Sequence, residues 1–528
     1  NSNYVITLDR IANKENGIEV IKKIVKHQNI QKQLNEWIEL NIVNENFKPE
    51  EILQEDSLNE KHKFLPIDTK YFKNIKIDIL SLFDNLDDAL DGWLIKSENY
   101  QALNTILPKF REKVQTIYID PPFNKEQDAD YLYTVKYKDS TWATMLENRL
   151  SLAKDLLRDT GSIFVRCDYN GNWIVRPLMD EIFGKENFRN EIDIKRNQAL
   201  PKTGDINLIE ETENLYVFSK TDKFYFLNQL VEREEPIWVD LGTRPSEIEN
   251  NPPRIVEGRE FYPPKYRRWA YSQENIDKMY SKGRLKIERN KIKILLDKTK
   301  LGSNWTDMPG YSTVPIWGLK TENSEILLKR VIESTSNEGD LVMDFFLGSG
   351  TTIAVAHKLK RKWIGIEMGE HFYSVVLPRM KTVLAYDKSG ISKEKDVKEK
   401  YNEKNTGGFF KYYELEQYEE TLANTVYENH DIFIMQNKNM QNKNIYEQYI
   451  FLKDEKMLRA LEIDYENNKV KVDLSKLYPN IDIAETLSNL TCKWIKKIND
   501  SEVEFEDGTK INTKELDYKL IKPLIWWE

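Results

Sequence analysis

An apolar run stops abruptly at Asp120-Pro121-Pro122-Phe123-Asn124, and that stop constrains this chain more than any other stretch. The run before it, Thr116-Ile117-Tyr118-Ile119, has the composition of a buried strand. Two consecutive prolines remove two backbone donors and fix φ, so neither a sheet ladder nor a helix interior continues through them. Asp120 is therefore expected at the carboxyl end of a strand, on a stiff turn, with the ring of Phe123 three residues on. In open α/β sheets that edge is where ligands bind. An acid, rigid carbonyls at Pro121 and Pro122 and a stacking ring suit the gripping of the amino edge of a planar base.

Around this corner the pattern alternates. Strands are expected at Trp93–Lys96, Thr116–Asp120, Ser162–Arg166, Leu215–Ser219, Leu341–Phe345 and Lys362–Glu367. Helices are expected at Asn99–Leu107, Ala143–Leu157 (ended by Gly161), Arg176–Phe183, Ser324–Ile332, Thr351–Leu359 and Glu370–Leu384. Such alternation predicts an α/β fold, a mainly parallel Rossmann-like sheet with helices on both faces. Residues 1–75 are polar, with Ile18, Ile21, Val25, Leu34, Trp37 and Ile38 near helical spacing, and predict a helical N-terminal region docked on the body. The core is expected in two parts, 76–193 and 310–390. Lys125–Ser140 reads as a loop over the site and Ser392–Thr406 as a charged linker. Residues 391–528 predict a small α+β C-terminal domain for dimer or partner contacts, with Val470–Leu474 and Val503–Glu506 as hairpin strands and an Asp507-Gly508 turn. Its repeat, Gln436–Asn439 and Gln441–Asn444, reads as a mobile loop.

Between 194 and 309 the alternation gives way to proline pairs and aromatics. Residues 251–300 hold 14 Lys and Arg against 6 Asp and Glu, in a chain whose net charge is −9. Arg254, Arg259, Lys265, Arg267 and Arg268 lie among Phe261, Tyr262, Tyr266, Trp269 and Tyr271. Cations interleaved with rings are the footprint of phosphate contact combined with base or sugar packing. A solvated charged face would show the same run, but not the contrast with an acidic remainder.

A second motif, Asp344-Phe345-Phe346-Leu347-Gly348-Ser349-Gly350-Thr351-Thr352, joins a strand to a helix. Gly348 and Gly350 allow close approach to the backbone, and the helix start adds free N–H groups. Glu367 ends the next strand, where an acid accepts ribose hydroxyls in nucleoside-binding sheets. No Lys follows the glycines as a P-loop demands, and Ile353 stands where a dinucleotide fingerprint needs its third glycine. A cofactor without phosphates to cradle, S-adenosylmethionine, needs only this shorter bend. A plain tight turn would use the same glycines.

Other classes are disfavoured. There is no run of 18 apolar residues and no signal-peptide pattern, so no membrane segment is expected. Two cysteines, Cys167 and Cys492, provide no disulfide framework and fit a reducing, cytoplasmic compartment. Five scattered histidines and no CxxC pair predict no metal site.

The Asp-Pro-Pro-Phe of 120–123, followed much later by Phe-Leu-Gly-Ser-Gly-Thr-Thr at 346–352, resembles the amino-group DNA methyltransferases of the β class. The wider match, from Trp93–Asn99 through Met179–Gly184 and Trp305–Asp307 to Phe409–Tyr413, looks like the modification (Mod) subunit of type III restriction–modification systems. The resemblance implies a methyltransferase sheet with an inserted target-recognition domain at 194–309. It implies N6-adenine methylation of duplex DNA with S-adenosylmethionine, a homodimer, and a separate restriction subunit carrying helicase and nuclease. It assigns catalysis to Asp120, Pro121, Pro122 and Phe123. Cofactor contacts fall to Asp344, Phe346, Gly348, Gly350, Thr351, Glu367, Glu98, Asn99 and Thr321, and DNA contacts to Arg254, Arg259, Lys265, Arg267, Arg268 and Trp269. The chain departs from the family at Ser97-Glu98, where Gly-Asp is common, and at Glu322-Asn323-Ser324-Glu325, where Lys-Pro-Glu is common.

An aromatic amine is a poor nucleophile because its lone pair is delocalised. Hydrogen bonds to Asp120 and the Pro121 carbonyl would localise that pair for in-line attack, by orientation and fixed dipoles. Phe123 would stack on a base flipped from the duplex. Cytosine C5 methylation needs a nucleophilic cysteine, normally after a proline; Cys167 follows Arg166 and Cys492 follows Thr491. Two alternatives stay open: N4-cytosine methylation, and a DNA-recognition subunit that mainly positions a nuclease–translocase partner.

Overall fold

The central strand, Val114–Ile119, is buried at all six positions, as a strand covered on both faces must be. A computed structural model describes residues 2–122, 138–196, 210–312, 316–319, 321–415, 461–464, 469–472 and 481–516. Eleven strands form one sheet: β1 Ser2–Thr7, β2 Pro66–Asp68, β3 Gly92–Lys96, β4 Val114–Ile119, β5 Leu157–Cys167, β6 Phe188–Lys195, β7 Thr212–Ser219, β8 Asn304–Pro309, β9 Leu341–Asp344, β10 Lys362–Glu367 and β11 Phe409–Glu414. Their spatial order is β8-β6-β7-β5-β4-β9-β10-β3-β11-β1-β2. The run from β5 through β4, β9, β10 and β3 to β11 is parallel. Antiparallel pairs flank it at β5–β7 and β7–β6 on one side and at β11–β1 and β1–β2 on the other.

The α/β reading therefore stands, and several boundaries move. Residues 1–75 do hold helices, Gly17–Val25 and Ile30–Glu39, but they open with a strand buried in the sheet. Its short Ser-Asn-Tyr-Val-Ile-Thr segment does not announce that it will pair with β11, some 400 residues away. For the same reason β11 extends the sheet beyond the core limit expected at 390. The 392–406 stretch is no free linker: Ser392, Val397 and Tyr401 are buried, and Tyr401 Oη donates to the Val383 carbonyl at 2.6 Å. Gly161 does not end a helix. The Asp139–Leu156 helix stops earlier, and Gly161 lies within β5, where an added Cβ would press on the Arg158 and Val114 carbonyl oxygens at 3.0 Å. The Glu370–Leu384 expectation resolves into a π-turn at Phe372–Val376 followed by a helix at Leu377–Leu384.

The insertion is shorter than 194–309. One compact unit comprises Leu227–Ser303, and β7 and β8 belong to the sheet instead. Within this unit Leu230–Asp240, Lys291–Lys300 and Leu285–Glu288 form a three-stranded antiparallel sheet. Leu241, Val256, Phe261, Ile276, Leu285, Ile292 and Ile294 provide its own small core. In the C-terminal region Glu502–Phe505 and Lys510–Asn512 form the expected hairpin, with Gly508 at φ 82°. The Gln436–Asn444 repeat and most of 125–140 lie outside the described residues.

Candidate active site

Parallel register sets the site. β9 lies directly beside β4, with Val342 opposite Thr116 and Met343 opposite Ile117. Asp120 after β4 and Asp344 at the end of β9 therefore reach the same edge of the sheet, although 224 positions separate them. β10 is next and ends at Glu367, and β3 follows, with Glu98 and Asn99 just beyond it. One row of strand ends thus carries the acid corner, the glycine bend and three further polar residues. Antiparallel pairing would have sent half of them to the opposite edge.

The corner is built from inside. Trp142 Nε1 donates to the Pro122 carbonyl at 2.8 Å and fixes the turn. Asp120, with 13% of its side chain exposed, accepts from Asn323 Nδ2 at 3.1 Å. Arg166, wholly buried, has Nη1 at 3.9 Å from the same oxygen of Asp120. Arg166 is itself held by Glu213, through Nε at 2.9 Å, and its guanidinium lies 3.9 Å over the Tyr311 ring. Burial pushes the Asp120 carboxyl up to about 6; the Arg166 charge and the Asn323 hydrogen bond restrain the rise, and Glu213 and Asp168 add to it. Phe123 lies outside the described residues. Cys167 is buried, and burial raises its thiol well above the usual range, which suits a packing residue and not a nucleophile.

The glycine bend is equally defined. Asp344 accepts from the Phe346 N–H at 3.0 Å and from Thr352 Oγ1 at 2.5 Å, tying strand end to helix start. Burial pushes its carboxyl up to about 7, against those two hydrogen bonds and with help from Asp120 and Glu367. Gly348 and Gly350 have φ of 56° and 81°, left-handed values that favour glycine. A Cβ on Gly348 would meet nothing within 4 Å, so the bend borders open space. Glu367 accepts from the Gly348 N–H and the Gly369 N–H, both at 2.9 Å.

Three expected cofactor residues also serve structural roles. Thr351 is buried and receives Arg379 Nη1 at 2.9 Å. Glu98 accepts from Gln101 N at 3.0 Å, and both Glu98 and Asn99 bind Arg149. Asn99 Nδ2 also donates to the Phe345 carbonyl at 2.9 Å, bracing the start of the bend. Thr321 stands two residues before Asn323, in the turn that leads into the Glu325–Thr335 helix. Arg149, Arg166, Glu213, Asn323 and Arg379 were not anticipated as site residues. Arg166 carried a signal, a cation directly after the apolar run Ile163-Phe164-Val165, and Asn323 stood in the segment that departs from the family pattern.

In the Leu227–Ser303 unit the basic residues divide. Arg254 Nε donates to the Tyr271 carbonyl at 3.0 Å, Trp269 Nε1 to the Phe261 carbonyl at 3.0 Å, and Arg267 grips Thr243 at 2.6 Å. These three brace the unit. Lys265 is exposed and paired with Glu249 at 2.8 Å. Arg259 and Arg268 are exposed.

A protein-family profile described as DNA methylase matches residues 114–378, half of the chain, and spans both motifs. The chain belongs to the N6/N4 DNA methylase family. This methylase is 29% identical over 429 residues to a probable type III restriction–modification enzyme HindVI Mod subunit of Haemophilus influenzae, covering 64% of this chain and 55% of that one. It is 26% identical over 305 residues to the type II methyltransferase M.EcaI of Enterobacter cloacae, covering 53% and 67% respectively. The chain thus spans about half the length of its Mod relative. Among solved structures, the M1.HpyAVI–SAM complex aligns at 15% identity and a TM-score of 0.32, over 55% of this chain and 98% of that one.

Proposed function

We propose that this methylase transfers a methyl group from S-adenosylmethionine to the N6 amine of adenine in duplex DNA. In this reading it serves as the modification subunit of a type III restriction–modification system, as a homodimer that works with a separate restriction subunit. The reading rests on one observation: the Asp120 corner and the Gly348–Gly350 bend end adjacent parallel strands at one edge. The bend fits the cofactor, since its left-handed Gly348 opens onto free space beside the Glu367 carboxylate. S-adenosylmethionine supplies, when bound, an electrophilic methyl group. Gly348, Glu367 and the Asp344-braced helix start would hold it, with Glu98, Asn99, Phe346 and Thr321 around them.

The chain's own groups then act on the amine. Asp120 and the Pro121 carbonyl each accept one N–H, which localises the lone pair and aims it. After transfer the surplus proton leaves the nitrogen for the Asp120 carboxylate. Asp120 at the head of the motif supports adenine over cytosine, and the name of the Haemophilus relative supports the type III role. Arg259, Lys265 and Arg268 would contact phosphates.

The test is incubation of the protein with S-adenosylmethionine carrying a labelled methyl group and duplex DNA, followed by nucleoside mass spectrometry. Label in N6-methyladenine is expected, and Asp120→Ala should lower turnover by about 1000-fold or more. Label only in N4-methylcytosine would reassign the base, and near-normal turnover by Asp120→Ala would sink the mechanism.

A further inference from the structure

The acid corner holds a residue that sequence reasoning passed over. Asn323 sits between Asp120 and Arg166 and touches both. We propose that Asn323 is a positioning residue: it gives one amide N–H to Asp120 Oδ2, and so turns Oδ1 towards the target amine. This rests on the role proposed above for Asp120.

The orientation of the amide is not free. Asn323 Oδ1 receives Arg166 Nη1 at 2.6 Å and Tyr118 Oη at 3.0 Å. A guanidinium only donates, so the end of the amide facing it must be oxygen. The opposite end is then NH₂, and it meets Asp120 Oδ2 at 3.1 Å. Flipping the amide would set NH₂ against a cation and oxygen against a carboxylate, two repulsions at once.

Arg166 can serve as that reference because it is immobile. Glu213 holds its Nε, the Gly310 carbonyl accepts Nη1 at 3.0 Å, and Tyr311 lies beneath the plane. Gly310 is needed here: a Cβ would come within 2.7 Å of Arg166 Nη2 and of Ile194. The backbone of Asn323 is fixed as well, through a bridge to Tyr311 and the hydrogen bonds Ser312 N to Glu322 O at 2.7 Å and Ser324 N to Gly310 O at 3.2 Å. Among the described residues Oδ2 is the Asp120 oxygen so engaged, by Asn323 and by the more distant Arg166.

The same segment reaches the other half of the site. Two residues on, Glu325 accepts from Arg379 Nη2 at 3.0 Å, and Arg379 Nη1 donates to Thr351 Oγ1 and the Ser349 carbonyl. Residues 323–325 therefore register the acid corner against the glycine bend.

The charged and titratable groups facing Asp120 are Arg166, Glu213, Asp168, Tyr118, Tyr311, Cys167 and Asp344. The informative variant is Asn323→Asp. It is isosteric, still accepts from Arg166 and Tyr118, and replaces the donor facing Asp120 by a carboxylate oxygen. Asn323→Leu removes both functions. For either variant the pH profile of kcat and the equilibrium affinity for S-adenosylmethionine should be measured, with Asp120→Asn in parallel.

In Asn323→Asp the acidic limb of kcat should move to higher pH by about one unit or more, because a second carboxylate opposes ionisation of Asp120. In Asn323→Leu, kcat should fall by about 10-fold or more, as expected for one lost preorganised donor, with cofactor affinity within about 3-fold. An Asn323→Asp limb in the wild-type position, or a kcat within about 2-fold of wild type in Asn323→Leu, overturns the proposal. If Asn323→Leu does not fold, the isosteric Asn323→Asp profile alone decides. An active Asp120→Asn would refute the proposed role of Asp120, whereas an inactive Asp120→Asn beside an unchanged Asn323→Asp would refute the positioning role alone.

Discussion

Asp344 shows how one buried carboxyl links stability to pH. In the unfolded chain it ionises near 3.8, whereas the fold keeps it protonated until about 7. Between those values the folded state binds more protons, so stability falls as pH rises through that window. A shift of this size corresponds to roughly 4 kcal/mol. Asp344→Asn should flatten this fall: its Oδ1 still accepts the Phe346 N–H, and its NH₂ can donate to Thr352 Oγ1. Chemical denaturation at pH 5 and at pH 7.5 would measure the change; an unaltered difference between the two pH values would remove Asp344 as its source. Asp120 differs in kind. Its buried setting resembles that of Asp344, but the chemistry proposed for it needs the ionised form, and Arg166 and Asn323 keep it ionisable near neutrality.

The strand-to-helix bend separates two uses of glycine. At Gly350 an added Cβ would stand 3.1 Å from Val376 Cγ1, inside the packed body. At Gly348 the same atom would project into open space. Both positions have left-handed φ, so either substitution carries a backbone cost of about 1–2 kcal/mol. Gly350→Ala should therefore lower Tm, by roughly 1 °C per kcal/mol at the unfolding entropy of a unit of about 450 residues. Gly348→Ala should instead weaken S-adenosylmethionine binding by about 10-fold or more, since its methyl group would enter the space proposed for the cofactor. Calorimetry of both variants with and without cofactor distinguishes the two effects. Equal cofactor affinity in Gly348→Ala and wild type would contradict the proposed placement.

Charge is distributed unevenly over the molecule. Its net charge is −9, yet 251–300 is strongly basic, and within the Leu227–Ser303 unit only part of that charge is available to a partner. Arg254 and Arg267 are occupied by internal hydrogen bonds, whereas Arg259 and Arg268 extend into solvent. Neutralising Arg259 and Arg268 together should reduce the slope of log affinity against log salt by up to about 1.8, from about 0.9 per phosphate contact. A slope equal to wild type in a salt titration would place both outside the interface. Elsewhere opposite charges are internal: Lys411 of β11, fully buried, pairs with Asp87 at 2.9 Å and Glu485 at 2.6 Å. Lys109 donates to Ser488 Oγ at 2.7 Å close by. That cluster joins the Ile483–Thr491 helix to the sheet. Replacing Lys411 by Met would leave Glu485 without this cation and Asp87 with only the more distant Lys109, at 3.8 Å, at a cost of about 3–5 kcal/mol read as a lowered denaturation midpoint.

Local chemistry was legible in the sequence. Proline pairs stop strands, glycines permit left-handed turns and apolar runs of four to six residues form buried strands wherever they occur, so the Asp120 corner, the Gly348–Gly350 bend and most elements of the parallel sheet could be read directly. Pairing over long separations could not. Nothing local in residues 2–7 specifies β11 as their neighbour, and nothing at Asn323 specifies Arg166 and Asp120. Those contacts depend on which strands lie side by side and on which cations find buried acids, and only the packed structure decides both.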